Sequence, residues 1–215
     1  VAKRAPRTRP KRRSSYHHGR LREALLETAE QMVDAAGPES VTVREAARRA
    51  GVSPGAPFRH FETRAALLTG VAERAMARFL AEIARAEATV ERADPAARLA
   101  ALGRAYARWA LHHPEQFRVI STRSLIDFDG SPTLRRDNDA IRALVQSIVA
   151  DGQARGALRT ADPALVELVA KALSYGLARM AVDGHFPQWG VPRKGTEAAI
   201  HRAMDLFVEL LRRDH

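Results

Sequence analysis

The stretch Val41-Thr42-Val43-Arg44-Glu45-Ala46-Ala47-Arg48-Arg49-Ala50-Gly51-Val52-Ser53-Pro54-Gly55-Ala56-Pro57-Phe58-Arg59-His60-Phe61 decides the fold. Thr42 followed three residues later by Glu45 is a capping box, in which hydroxyl and carboxylate each satisfy an orphan N–H at the start of a helix. That helix is short because Gly51, which reaches positive φ without steric cost, ends it. Beyond the turn Ala50-Gly51-Val52, Ser53 is placed to cap a further helix with Pro54 at its first position, where a missing N–H costs nothing. Ala46, Ala47 and Ala50 lack bulk and let the two helices approach closely. Two short helices joined by a tight turn read as a helix-turn-helix.

On the N-terminal side, Leu21, Ala24, Leu25, Thr28, Ala29, Met32, Val33 and Ala36 recur at the spacing of one helical face, with Arg22, Glu23, Glu27, Glu30 and Asp34 on the other. This predicts a helix over about 20–36, stopped by Gly37 and Pro38. On the C-terminal side a helix starts near Thr63 and runs through Leu67, Leu68, Val71, Ala75, Phe79 and Ile83. Asp94-Pro95, Ser131-Pro132 and Asp162-Pro163 are cap-plus-proline starts for amphipathic helices over about 95–112, 132–155 and 163–183. A shorter helix over about 115–126 and a last one over about 196–213 complete the pattern. The expectation is an all-α fold of about nine helices and no strand.

Composition narrows the function classes. The 215 residues include no cysteine, which excludes disulfides, zinc–thiolate sites and thiol nucleophiles and is simplest for a cytoplasmic protein. No apolar run approaches the length needed to cross a bilayer, and the basic start lacks the apolar stretch of a secretory signal. Net charge is +10 with a pI near 11.0, which calls for a polyanionic partner. Seven of the first thirteen residues are basic: Lys3, Arg4, Arg7, Arg9, Lys11, Arg12 and Arg13. Residues 14–70 carry seven arginines against seven acidic residues, so that region must present its cations selectively. The expected organisation is a disordered basic arm over 1–15, a DNA-binding unit over 16–64, and a helical unit over 65–215.

Tyr16-His17-His18-Gly19-Arg20-Leu21 together with Val41–Phe61 resembles the TetR family of bacterial regulators, a match extending over about 16–80. Tyr106, Trp109, Ala110, Pro114 and Phe117 are similar in spacing to a subgroup whose later helix carries a Trp-His-Gly triplet, where this chain has Ser174-Tyr175-Gly176. The resemblance implies a homodimer whose third helices enter successive major grooves of double-stranded operator DNA. It implies that Arg44, Pro54, Gly55, Ala56, Arg59 and His60 lie at or near base edges, with Ser53 beside them, and that Thr42, Phe58 and Arg64 meet phosphate. Phe58 and Arg64 stand where most members have Tyr and Lys, so the phenol's hydrogen bond is lost and the cation kept. Arg44, in the first turn of its helix, has the planar fork that suits guanine O6 and N7. The basic arm would follow the backbone or enter the minor groove.

The resemblance also implies a cavity for a largely apolar small-molecule effector, with Tyr106, Trp109, His113, Phe117, Phe128, Tyr175 and Met180 as lining candidates, although an aromatic stripe of this kind also suits plain core. Dimerisation through the last two helices makes Leu165, Leu168, Val169, Ala172, Ile200, Met204, Phe207 and Leu211 the interface candidates. The loop Gly184–Gly190 would cover the interface or lid the cavity. Adjacent helical residues diverge by about 100°, so His112 and His113 make a poor metal site; neither metal, cofactor nor catalytic constellation is expected. The expected function is a ligand-released repressor. The competing reading is an architectural DNA binder, driven by the arm and tolerant of sequence.

Overall fold

The structure, a computed structural model, describes residues 14–213, with side chains from Arg20 onward; the basic arm of residues 1–13 lies outside them. Among the described residues there are eight α-helices and no strand, only a single antiparallel bridge between Leu158 and Arg212. The helices are α1 (Ser14–Ala36), α2 (Val43–Arg49), α3 (Arg64–Ala88), α4 (Pro95–His112), α5 (Pro114–Ser121), α6 (Pro132–Ala154), α7 (Pro163–Val182) and α8 (Thr196–Leu211). None is long and apolar enough to cross a membrane.

The helix starts follow from local chemistry. Asp94, Ser131 and Asp162 each accept a backbone N–H through the side chain, from Ala97 (2.9 Å), Leu134 (3.2 Å) and Ala164 (2.9 Å), and proline occupies the next position each time. Thr42 caps α2 by accepting from the Glu45 N–H at 3.1 Å, and Thr63 caps α3 by accepting from Ala66 at 3.0 Å. The Glu45 carboxylate, expected to turn back toward the cap, is held by Arg48 and Arg49 at 2.7–2.8 Å.

The helix expected after Ser53 is the one that differs. The segment forms a turn through Pro54 and Gly55 and then a 3₁₀ turn over Pro57–Arg59. Pro57 explains it. An α-helix capped by Ser53 needs an N–H at position 57 to bond the Ser53 carbonyl, and proline has none. The carbonyl instead accepts from Ala56 at 3.1 Å, one residue earlier, which tightens the turn.

The chain divides into two compact units, one up to Val71 and one from Ala72. In the first, Leu25, Leu26, Met32 and Val33 of α1 and Leu67 and Leu68 of α3 are buried with Val41, Ala46, Ala47 and Phe61. Gly70 permits close packing there: a Cβ would lie 2.6 Å from Leu26 Cδ2. In the second, α4 packs against α6, α7 and α8. Gly103 of α4 lacks the side chain that would collide with Met204 of α8, and the Arg104–Asp205 ion pair joins the same two helices.

Candidate DNA-reading surface and ligand cavity

In the first unit the turn between α2 and the 3₁₀ segment depends on Gly51, whose φ is +68°. Its neighbours present a mixed outer face. Arg44, Ser53, Pro54, Gly55, Phe58 and Arg59 are exposed, Thr42 is exposed beside its capping role, Ala56 and His60 are half-buried, and Pro57 is buried. Phe58 is 40% exposed, unusual for an aromatic ring with a core beside it. A Cβ on Gly55 would meet nothing within 4 Å and its φ is not positive, so nothing within the chain demands a glycine there.

Charge on this face is sorted. Arg48 and Arg49 share the Glu45 carboxylate, whose pKa falls to about 2 because of those hydrogen bonds, Arg48's being the larger effect. Arg44 and Arg59 take part in no side-chain hydrogen bond or ion pair among the described residues. Arg64 is partly committed inward: Nε donates to the Val41 carbonyl at 2.9 Å and Nη2 to that of Pro38 at 2.7 Å. The residue expected on phosphate therefore braces the α1–α2 connection with two of its five N–H donors. That brace between positions 23 and 26 apart in sequence had no local signal.

The second unit holds a cavity of about 430 Å³, in the range of small-molecule sites. Its walls come from α3 (Met76, Phe79, Ile83), α4, α6, α7, α8 and the segment 120–128. Of the seven expected lining residues, Tyr106, Phe128 and Tyr175 line it. Phe117 and Trp109 are 0% and 5% exposed and lie behind the wall as core. Phe117 stacks edge-on to Tyr106 with centroids 6.2 Å apart, and Trp109 packs on Phe79 at 5.2 Å. His113 is exposed at the α4–α5 junction, and Met180 packs against the cluster of Phe186, Ile200 and Met204. Trp109, Phe117 and Met180 are outside the cavity because aromatic and sulfur side chains served the core equally well, and His113 because α4 ends before it.

The polar lining carries the chemistry that aromatic spacing missed. Lys171 Nζ donates to the Tyr106 hydroxyl at 3.2 Å and lies 4.6 Å from the centre of that ring. The Arg123 guanidinium stacks 3.3 Å above Phe128. The lysine is lowered to about 8, by desolvation first and by the Arg123 charge second, with Glu167 opposing, although the residue as a whole is exposed. Tyr106 is raised, chiefly by burial and secondarily by Tyr175. Glu167 is engaged by Arg142 at 3.4 Å and Gln146 at 3.3 Å. Among the described residues no group of three His, Asp or Glu side chains could hold a metal ion.

The interface candidates also separate. Leu165, Leu168 and Val169 of α7 are 56%, 61% and 45% exposed, and Ala172 is exposed beside them. Ile200 and Met204 are instead 0% and 2% exposed, because α8 turns that face onto α4 where Gly103 admits Met204. Leu168, Ala172, Met204 and the half-buried Phe207 also line the cavity, and Leu211 is half-buried. The outward apolar residues of α8 are Leu206 and Leu210, 62% and 63% exposed, which the sequence reading missed. In the loop Gly184–Gly190, Phe186 is buried with Ile200 and Met204 whereas Trp189 is 72% exposed.

Residues 25–71 match the family described as "Bacterial regulatory proteins, tetR family", and residues 99–207 match "Tetracyclin repressor-like, C-terminal domain". No curated protein matches the sequence. Among solved structures, a protein of unknown function from Rhodococcus sp. RHA1 is 33% identical, with 93% of this chain and 100% of that one covered and a TM-score of 0.77. A TetR-family transcriptional regulator from Pectobacterium atrosepticum is 21% identical over 94% of this chain and 100% of its own, with a TM-score of 0.72. The ketosteroid transcriptional regulator KstR2 of Mycobacterium tuberculosis is 19% identical over 90% and 96%, with a TM-score of 0.63. At those two identities the likeness is one of fold.

Proposed function

Because the chain belongs to the TetR family and is a DNA-binding transcriptional regulator, we propose that it acts as a homodimeric repressor that releases a palindromic operator when a small effector enters the cavity. The observation that carries the DNA half is the sorting of arginines: Glu45 occupies Arg48 and Arg49, while Arg44 and Arg59 stand exposed and uncommitted on either side of the Gly51 turn. Arg44 then reads a guanine edge, Arg59 and His60 reach neighbouring bases, and Gly55 and Ala56 keep the segment low enough to approach the groove floor. Ser53 and Pro54 lie beside that base-facing set, and Thr42 and Phe58 follow the sugar–phosphate backbone, joined by whatever donors Arg64 retains.

The dimer reading is supported by the apolar stripes of α7 and α8, which pack on each other and leave Leu165, Leu168, Val169, Leu206 and Leu210 in water. A second copy of the same stripes would cover them, as an isologous interface does. Coupling is supported by one continuous helix. Met76, Phe79 and Ile83 of α3 line the cavity, and Arg64, its first residue, braces the α1–α2 connection. An effector with differential affinity for two positions of α3 therefore shifts operator affinity, and a coupling of about 1–3 kcal/mol is ordinary.

The test begins with selection of duplexes from a random pool, followed by titration of selected and random duplexes and by sedimentation. Arg44→Ala is expected to lower the preference for the selected duplex by about 1–3 kcal/mol per lost contact while dimer mass and helicity persist. A monomer at working concentration, or equal affinity for selected and random duplexes, refutes the reading and returns the sequence-tolerant architectural alternative.

A further inference from the structure

The proposal concerns the chemical class of the effector and rests on the reading of the cavity as its site. The walls are mostly apolar, from Met76, Phe79 and Ile83 across to Leu102 and Ile141. Into this lining project three cations, Arg123, Arg142 and Lys171, and a single carboxylate, Glu167. The carboxylate is already engaged by Arg142 and Gln146. Neither Arg123 nor Lys171 has a carboxylate within ion-pair distance among the described residues, and each is faced by an aromatic ring in its place.

Arg123 and Lys171 are both exposed, so water and the facing rings compensate their charges in the free protein, and an anion that displaced that water would do so more strongly. Arg123 and Lys171 line the same cavity, each over its own ring, and the Arg123 charge disfavours protonation of Lys171. The rings beneath the cations offer only their quadrupoles, weaker than an anion. Lys171 spends one N–H on the Tyr106 hydroxyl, which fixes the ammonium and leaves two donors. Arg123 remains a planar fork suited to a carboxylate.

We propose that the effector is an amphipathic monoanion, its apolar body filling the space between α3, α4 and α6 and its carboxylate beside Arg123 and Lys171. The cations make the head selective, and the apolar walls supply affinity in proportion to the buried body. The neutral analogue forgoes the charge-assisted hydrogen bonds, and the cationic analogue meets repulsion from both residues.

Three probes of equal chain length test this by titration calorimetry on the full chain: decanoate, decan-1-ol and decyltrimethylammonium. Decanoate is expected to bind roughly tenfold tighter than decan-1-ol or better, equivalent to about 1.4 kcal/mol, and the ammonium weakest. Lys171→Met and Arg123→Met should each erase most of that preference while leaving decan-1-ol binding intact, which shows that the cavity still forms. Equal binding of decanoate and decan-1-ol by the unmutated protein overturns the anionic head and leaves the effector cavity standing. If none of the three binds, the effector cavity falls and this proposal with it.

Discussion

Arg64→Met separates two roles that the residue could play in the reading unit. The structure gives Arg64 two charge-assisted hydrogen bonds, at 2.9 Å to the Val41 carbonyl and 2.7 Å to that of Pro38. Val41 is 0% exposed, so water reaches its surroundings poorly once the guanidinium is gone. Methionine keeps most of the aliphatic stem but offers no donor. A hydrogen bond to a charged group contributes about 1.5–3 kcal/mol. Arg64 is half-buried, and the Pro38 carbonyl keeps the Val41 N–H at 3.1 Å as a partner, so the low end applies and the pair should cost about 2–3 kcal/mol. For a chain of this size each kcal/mol lowers Tm by about 2–4 °C, which predicts a fall of roughly 4–12 °C by scanning calorimetry. The second assay is the salt dependence of binding to a selected duplex. A residue that served only as a phosphate contact would leave Tm unchanged and reduce the slope of log K against log salt by about 0.9 per protomer. An unchanged Tm with that loss of slope refutes the brace.

Two further outcomes follow from the same geometry. Gly51→Ala should cost about 1–2 kcal/mol in denaturant unfolding, because the +68° φ is left-handed while a Cβ there would meet no neighbour; Gly55→Ala, free of both constraints, should leave stability intact and weaken operator binding, and the reverse order of effects would remove Gly55 from the DNA-facing set. For Lys171, lowered to about 8 among Arg123, Arg142, Glu167, Tyr106 and Tyr175, an anionic ligand should favour the ammonium and so raise its pKa. Decanoate binding near pH 8 should then take up part of a proton and weaken as pH rises through that range, read by calorimetry in buffers of different ionisation enthalpy; no proton uptake would mean the carboxylate does not sit beside Lys171.

Helix starts were legible because they are local. Asp94, Ser131 and Asp162 cap through atoms within three residues, and the proline after each is compatible with only one end of a helix. The same locality misled at Ser53, where the cap-plus-proline pattern recurs but a second proline, Pro57, removes the N–H that an α-helix would use first. The face that α8 buries was not legible. Ile200, Met204 and Phe207 lie on a continuous apolar arc with Leu206 and Leu210, and periodicity cannot divide an arc that wide. The division is made by Gly103, about a hundred positions away, which gives Met204 room against α4.

The cavity obeys the same logic with the signs exchanged. Phe79, Tyr106, Trp109, Phe117 and Tyr175 form one chain of ring contacts, with neighbouring centroids 5.2–6.2 Å apart, so membership of the aromatic cluster does not distinguish wall from core. Any of these rings is stable whether its outer side meets a ligand or another side chain, since burial of apolar area rewards both. Charge is not indifferent in that way. A cation that faces an apolar space keeps its charge only where solvent, an aromatic face or an anion compensates it. Arg123 and Lys171 therefore define the site more sharply than the aromatic residues do, and a search of the sequence for cations within apolar helical faces would have pointed to Lys171, which shares a face of α7 with Leu168 and Tyr175.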